Sequence, residues 1–135
     1  MAQQRYSVAG IALDENRVFI ARRKSGGDIG GKWEFPGGKV EINENAEAAL
    51  IREYREEFDL AVSVGQRIGA SSFTRRDTVY NLDVYRIFFE SALENITLSE
   101  HTQWKWASLD EIYEIDFADS DRALLALLEN YLKGQ

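Results

Sequence analysis

Several apolar runs in this chain are rich in β-branched and aromatic residues and end at polar turn residues. Runs of this kind predict β-strands. Residues 14–16 (DEN), between the first two runs, and residues 74–77 (TRRD), between two later ones, predict turns. The predicted strands cover residues 5–13, 17–23, 60–73, 78–89 and 101–107.

Other apolar residues recur at the spacing of an α-helix and predict two longer helices. The first runs from about Asn45 to Phe58, and the second runs from about Asp121 to Leu132. A shorter helix should begin at Ser108, because the tetrapeptide SLDE has the form of a capping box. The residues expected to face the core are Ala46, Ala49, Leu50, Tyr54 and Phe58 in the first helix and Leu124, Leu125, Leu128 and Leu132 in the second.

A glycine-rich stretch, KSGGDIGGK at residues 24–32, predicts a loop after the second strand. Pro36, the only proline, follows this loop and should fix a turn. Gly37 and Gly38 come next, and such a pair permits backbone conformations or close approaches that other residues cannot adopt. Strands interspersed with two substantial helices predict the α/β class, with helices packed on a mixed sheet.

The composition limits the class of protein. The length of 135 residues fits one domain over residues 1–135, and no run of about 18 apolar residues predicts a transmembrane helix. The N-terminus lacks the features of a secretory signal, and without cysteine there is no disulfide or thiolate metal site, so a cytoplasmic location is expected. The net charge of −7 argues against binding to polymeric nucleic acid or to an anionic membrane. A bound divalent cation could still allow a small phosphorylated substrate.

Three carboxylates, Glu53, Glu56 and Glu57, lie close together on the first predicted helix. Because they are related as i, i+3 and i+4, their side chains share one face. Such a cluster offers the hard oxygen ligands that suit Mg²⁺ or Mn²⁺. From the helix alone, the more common alternative is an acidic face in solvent, stabilised by Arg52 and Arg55.

The residues before this cluster complete a longer pattern. From Gly38 the chain reads Gly, five residues, Glu44, seven residues, Arg52–Glu53, one bulky residue, Arg55 and Glu56–Glu57. This pattern resembles the Nudix box, G-x5-E-x7-R-E-U-x-E-E-x-G-U with U aliphatic, which is the signature of hydrolases that cleave nucleoside diphosphates linked to another group. The matching residues are Gly38, Glu44, Arg52, Glu53, Glu56, Glu57 and Leu60.

Two positions depart from the box. Tyr54 stands where an aliphatic residue is usual, and its inward ring needs a larger pocket or a partner for its hydroxyl. Asp59 replaces the second glycine after the helix end, where a left-handed conformation is common. Outside the box, the segments FIARRK, KWEFPGGKVE and FADSDRALLALL are similar to the MutT-type branch. The resemblance implies an α/β/α sandwich, in which a mixed sheet lies between helices.

The resemblance also implies a metal site. Box glutamates bind the metal in this family, so Glu53, Glu56 and Glu57 are the expected ligands of Mg²⁺, or of Mn²⁺ as the alternative ion. The backbone carbonyl of Gly37 is a further expected ligand. Glu53 is the first choice for the base that activates water, and Glu100 is the second, although Glu100 could equally be a loop acid. The residues expected to be structural are Gly38, Glu44 and Arg52.

The MutT-type resemblance extends to contacts with the substrate. Arg23 lies at the position of a phosphate-binding arginine, although it could be a solvated strand end, and Lys39 could also contact phosphate. Phe35 and Phe73 are candidate walls for the base, although an aromatic residue in a strand is more often part of the core. Glu34 is a further candidate for substrate binding.

Asp121 matches the position where MutT-type enzymes place an Asn or Asp that contacts the edge of the base. An ionised Asp only accepts hydrogen bonds and would favour donors such as cytosine N4 or guanine N1 and N2, whereas a protonated Asp could also donate. Asp119, Ser120 or Asp121 could instead cap the last helix. His101, the sole histidine, lies in an acidic loop and is expected at the surface.

The resemblance implies an enzyme that hydrolyses nucleoside triphosphates to the monophosphate and pyrophosphate. An oxidised or ordinary purine deoxynucleotide is favoured, and a cytosine nucleotide follows closely. ADP-ribose or a dinucleotide polyphosphate is a third candidate substrate, and the rival outside the enzymes is a nucleotide sensor without turnover. The expected partner is a small nucleotide, bound by a monomer or a homodimer.

Overall fold

The computed structural model describes residues 2–27 and 30–134. The strands are β1 (Gln3–Ile11), β2 (Leu13–Asp14), β3 (Arg17–Arg23), β4 (Trp33–Glu34), β5 (Gly37–Lys39), β6 (Val62–Arg75), β7 (Thr78–Phe89) and β8 (His101–Ala107). The helices are α1 (Ala46–Phe58), α2 (Leu109–Glu114), α3 (Asp119–Arg122) and α4 (Leu125–Lys133), with a 3₁₀ helix at Leu93–Asn95. The predicted glycine-rich loop includes Asp28 and Ile29, which lie outside the described residues. No helix within the described ranges is long and apolar enough to cross a membrane.

The strands form two four-stranded sheets. In the first, the order is β5–β1–β7–β6, where β1 and β7 pair in parallel and the other neighbours are antiparallel. In the second, β3 pairs antiparallel with β2, β4 and β8. The first sheet is therefore mixed, as the sequence predicts.

Helices cover both sides of the sheets. Neighbouring residues of a strand point to opposite faces. Phe19 of β3 accordingly lies in one apolar cluster with Leu50 of α1, whereas Ile20 lies in the other cluster with Leu128 of α4. All four side chains are fully buried, and each contributes roughly 1.5–3 kcal/mol to folding. The predicted α/β/α sandwich is confirmed.

The helix ends follow their capping residues. Asn45 precedes α1, and its side-chain oxygen accepts a hydrogen bond from the Ala48 backbone N–H at 2.8 Å. Asp59 ends this helix in the predicted left-handed conformation, with φ of 54°. Ser108 caps α2 as predicted, because its hydroxyl accepts a hydrogen bond from the Glu111 N–H at 3.2 Å.

Tyr54 of α1, the residue that departs from the box, has hydrogen-bond partners for its buried hydroxyl. Its side chain is 1% exposed, and its oxygen lies 3.2 Å from the carbonyl oxygen of Pro36 and 3.3 Å from that of Gly10. The hydroxyl can donate its proton to either carbonyl. This bond links the helix that carries the box to the turn before Gly37.

The prediction of one continuous C-terminal helix from about Asp121 to Leu132 is wrong. The chain forms two helices, because the Leu124 N–H donates to the Asp121 carbonyl three residues earlier, at 2.9 Å, which interrupts the α-helical pattern. The alternative in which Asp119, Ser120 or Asp121 caps this helix is not seen, because the N-cap positions are Ala118 and Leu124 and neither helix has a side-chain cap. The carboxylate of Asp121 bonds to the sheet instead.

Candidate active site

An acidic cavity of about 270 Å³ lies between α1 and β5. The predicted carboxylates of the box line one side of this cavity, and the two glycines of β5 line the other. The lining residues are Arg23, Gly37, Gly38, Glu53, Glu56, Glu57, Ser99 and Glu100. The fold therefore brings together the helical carboxylates, the glycine pair and the loop acid Glu100.

Gly37 and Gly38 are glycines because the space beside them is already occupied. A Cβ atom on Gly38 would overlap the carboxylate of Glu53, and a Cβ atom on Gly37 would overlap the backbone oxygen of Val8. The glycine pair therefore permits a close approach of β5 both to Glu53 and to the backbone of Val8. It holds the backbone of β5 against the carboxylates of α1.

Arg52 organises the other side of the box. Its Nε and Nη2 donate to the two carboxylate oxygens of Glu44 at 2.8 and 3.0 Å, and Nη2 also donates to the Lys39 carbonyl at 2.9 Å. Its Nη1 donates to Glu53 Oε1 at 2.8 Å. The hydrogen bonds from Arg52 hold the pKa of Glu44 down at about 2. Arg52 therefore ties Glu53 to the segment that connects β5 with α1.

Glu57 is the most buried of the box carboxylates, with 4% of the residue exposed. Among the described residues, its Oε1 has no hydrogen-bond partner. Burial raises the pKa of Glu57 to about 10, with further contributions from its hydrogen bond with Glu53 and from the charge of Glu34. Burial therefore disfavours the ionised form of Glu57, and a cation nearby would favour it.

His101 is buried, with 2% of the residue exposed, so the prediction of a surface histidine is wrong. Its Nε2 lies 2.7 Å from Glu34 Oε2, and its ring stacks on Phe58. A register shift in the pairing of β3 with β8 explains the error: Arg22 pairs with Gln103, but Arg23 pairs with His101. This irregularity interrupts the alternation of β8 side chains between the two faces of the sheet, and nothing in the sequence around His101 signals it.

Arg23 lies between two carboxylates at the rim of the acidic cavity. Its Nη1 is 3.3 Å from Glu34 Oε2, and its Nη2 is 3.9 Å from Glu100 Oε2. The side chain of Glu34 is 10% exposed, whereas that of Glu100 is 58% exposed. Glu34 thus contacts Arg23 and His101, and Glu100 remains accessible from solvent.

A second cavity, of about 320 Å³, shares Arg23, Gly37 and Gly38 with the first. The other predicted substrate residues line it as well. These residues are Glu34, Phe35, Lys39, Phe73 and Asp121. Every residue that the sequence suggests for substrate binding therefore lies along one continuous depression.

Asp121 is a buried carboxylate in this second cavity. Its Oδ2 accepts a hydrogen bond from the Phe35 backbone N–H at 2.8 Å, and its Oδ1 lies 3.4 Å from the hydroxyl of Ser120. Burial raises the pKa of Asp121 to about 7, and the charge of Glu34 adds to this effect. Near neutral pH the group can therefore be an acceptor or a donor.

The two aromatic candidates differ in exposure. Phe35 is 2% exposed, and its ring packs against Phe117 in the core, with centroids 4.8 Å apart. Phe73 is 46% exposed and stacks on Tyr80, with centroids 5.0 Å apart and planes 14° from parallel. The accessible aromatic surface in this cavity is therefore that of Phe73 and Tyr80.

A match to a known protein family identifies the family of this chain. The family model described as the NUDIX domain matches residues 3–128. The chain belongs to the Nudix hydrolase family. The family resemblance and the enzyme class that the box implies are thus confirmed, and one relative is named MutT-like protein.

Individual Nudix relatives match most of the chain. The CTP pyrophosphohydrolase of Escherichia coli is 31% identical over 119 residues, which cover 87% of this chain and 86% of that protein. The 8-oxo-dGTP diphosphatase of Buchnera aphidicola is 28% identical over 127 residues, or 93% of each chain. The solution structure of the Escherichia coli ORF135 protein superposes with a TM-score of 0.81 and 28% identity, covering 98% of this chain and 91% of that one. The MutT protein of Methanosarcina mazei has the same fold, with a TM-score of 0.83 and 24% identity over 98% of this chain and 97% of that one.

Nudix hydrolases typically use a divalent metal, and two sets of side chains in this structure could provide ligands. Ligand atoms of Glu34, Glu57 and His101 lie within 4.8 Å of one another. Glu53, Glu56 and Glu57 line the acidic cavity instead. In the first set, Glu34 and His101 lie within hydrogen-bonding distance of each other, at 2.7 Å.

Proposed function

We propose that this Nudix enzyme hydrolyses nucleoside triphosphates to the monophosphate and pyrophosphate with the help of Mg²⁺. The observation that supports the proposal best is the arrangement of the two cavities. Carboxylates of α1 face the Gly37–Gly38 pair in one, and the buried Asp121 lies in the other. A triphosphate in the first cavity would place its nucleoside in the second.

The residues of the acidic cavity fit a hard divalent cation. The donors around the cavity are carboxylate and carbonyl oxygens, which Mg²⁺ prefers, and a cation there would favour the ionised form of buried Glu57. Glu53, Glu56, Glu57 and the Gly37 carbonyl would hold the metal, and Mn²⁺ is the alternative ion. When bound, the metal would supply neutralisation of phosphate oxygens and a lowered pKa for an attacking water.

The protein itself would activate the water through a carboxylate. Glu53 is the first candidate, because its hydrogen bond from Arg52 fixes the carboxylate beside Gly38. Glu100 is the second, since it is exposed at the rim of the same cavity. Arg52, Glu44 and Gly38 would then act by holding Glu53 in place.

Substrate binding would divide between phosphate and base. Arg23 and Lys39 carry the positive charges along the depression and would contact phosphate oxygens. Glu34 would orient Arg23 through their ion pair of 3.3 Å. The exposed ring of Phe73 would stack on the base, and Asp121 would contact its edge.

For the base, we favour an oxidised or ordinary purine deoxynucleotide, so that the enzyme would clean the nucleotide pool. Relatives named 8-oxo-dGTP diphosphatase support this choice. A cytosine nucleotide is the second candidate, because the relative named CTP pyrophosphohydrolase covers most of the chain and an ionised Asp121 would accept from cytosine N4. The cytoplasmic location and the choice between monomer and homodimer stay predictions.

The test is pyrophosphate release from a panel of nucleoside triphosphates, including 8-oxo-dGTP, dGTP, CTP and dCTP, with Mg²⁺ and with EDTA. ADP-ribose and a dinucleotide polyphosphate, assayed for their own products, complete the panel. We expect release from one or two triphosphates that disappears with EDTA. Turnover of ADP-ribose alone would replace the proposed substrate, and tight nucleotide binding without turnover of any compound would favour a sensor.

A further inference from the structure

His101 lies behind the acidic cavity in a fixed orientation. Its side chain is 0% exposed, and its ring stacks on Phe58 of α1, with centroids 5.0 Å apart and planes 15° from parallel. Its Nε2 is 2.7 Å from Glu34 Oε2. The stacking sets the plane of the ring and the bond to Glu34 sets its rotation, so the direction of Nδ1 is determined as well.

That second ring nitrogen faces Glu57. Nδ1 of His101 lies 3.7 Å from Glu57 Oε1, and within the described residues neither atom has a hydrogen-bond partner. A buried polar group without a partner costs roughly 1–3 kcal/mol, so such groups are rare. Their separation exceeds a hydrogen bond by only a few tenths of an ångström, roughly, and a small rotation of the carboxylate closes it.

The backbone of Glu57 is held independently of His101. The Ser99 N–H donates to the Glu57 carbonyl at 3.2 Å, and the Ser99 hydroxyl lies 2.9 Å from the Glu56 carbonyl. These bonds fix the last turn of α1 through the main chain. The approach of Nδ1 to Glu57 therefore concerns the carboxylate, whereas main-chain bonds and the stacking on Phe58 concern the helix.

We propose that His101 is a positioning residue of the metal centre. With an N–H group on both ring nitrogens, it donates from Nε2 to Glu34 as an anchor and from Nδ1 to the Glu57 carboxylate, which it orients toward the acidic cavity. The inference rests on the proposed function, in which Glu57 is a metal ligand. Groups that orient metal ligands from behind typically contribute 10–100-fold to metal affinity. Through Glu34, which also pairs with Arg23, His101 connects the metal ligand with the phosphate-binding arginine.

The experiment compares three substitutions of His101 in the substrate-free protein. His101→Asn keeps an amide near the position of Nδ1, His101→Gln keeps one near Nε2, and His101→Phe keeps only the stacking on Phe58. Mn²⁺ affinity is measured by EPR titration of the free ion, and the melting temperature is measured without metal. Glu57→Gln is included as the variant that removes the proposed ligand itself.

We expect His101→Gln and His101→Phe to weaken Mn²⁺ binding by 10–100-fold, roughly. His101→Asn keeps the donor toward Glu57 but loses the anchor, so its affinity should lie between those of the other two variants and the wild type. Unchanged affinity in His101→Gln and His101→Phe would overturn the inference. A loss in all three variants that parallels their metal-free melting temperatures would also overturn it, because the role would then be structural. If Glu57→Gln alone weakens binding, only the role of His101 fails. If Glu57→Gln binds Mn²⁺ like the wild type, the proposed metal centre fails with it.

Discussion

The carboxylate of Asp121 accepts a hydrogen bond from the backbone N–H of Phe35 at 2.8 Å, across 86 residues of sequence. The bond joins the start of the C-terminal helices to the segment between β4 and β5. It also holds the side chain of Asp121 at the wall of the cavity where the nucleoside would bind. Because the group is buried, its protonation should affect both stability and base preference.

Asp121→Asn should change how stability depends on pH. The pKa of Asp121 is about 7 in the folded protein, above its ordinary value of 3.8, so the folded state binds the proton more tightly. The wild type should therefore lose stability relative to the variant as pH rises from about 4 to 7, by up to about 1.4 kcal/mol per pH unit. Urea unfolding at several pH values measures this, with exposed Asp119→Asn as the control. Parallel profiles of Asp121→Asn and the wild type would contradict the prediction.

Glu57→Gln should abolish turnover without unfolding the protein. The buried carboxyl is neutral without a cation, because its pKa is about 10, so an amide of the same shape should fit. Loss of a metal ligand should reduce Mg²⁺-dependent pyrophosphate release by more than the roughly 10–100-fold that is typical for residues behind the ligands. The matched control is Glu47→Gln, an exposed position on the same helix. Wild-type turnover by Glu57→Gln would remove Glu57 from the metal site.

Gly38→Ala should damage the site through a clash. The added methyl group would overlap the carboxylate of Glu53, which Arg52 holds in place, so the backbone of β5 must shift. We expect a destabilisation of about 1–3 kcal/mol in urea unfolding, together with a loss of turnover. Gly134→Ala is the control, since a Cβ there meets its neighbours at ordinary distances of 3.6 Å or more. Full activity in Gly38→Ala would show that Glu53 can move freely.

Arg52→Lys should raise the pKa of Glu44, which hydrogen bonds from Arg52 now hold at about 2. A lysine keeps the charge but loses the paired N–H groups that meet both oxygens of Glu44. NMR titration of the Glu44 carboxyl measures the shift directly. Because the folded pKa is low, the wild type loses this stabilisation as pH falls toward 2, and the variant should lose less. An unchanged Glu44 pKa would mean that the backbone N–H of Glu41 dominates instead.

Local pattern was enough to predict that three carboxylates of α1 line one cavity. Glu53, Glu56 and Glu57 share a face because helical geometry relates residues three and four apart, whatever the helix packs against. The same reasoning predicted the left-handed Asp59 and the cap at Ser108. The prediction of a single C-terminal helix was wrong, because the Leu124 N–H bonds to the Asp121 carbonyl and interrupts the α-helical pattern. The carboxylate of Asp121 bonds to Phe35, which is distant in sequence.

The spacing of residues in the box was enough to indicate the family and the acidic helix face, and the family resemblance in turn implied the α/β/α sandwich. Tertiary packing determines which side chains lie behind that face. A register shift between β3 and β8 turned His101 inward, onto Glu34 and toward Glu57. Burial then raised the pKa of Glu57 and of Asp121. Strand register and desolvation are properties of the packed molecule, so no local pattern of residues specifies them.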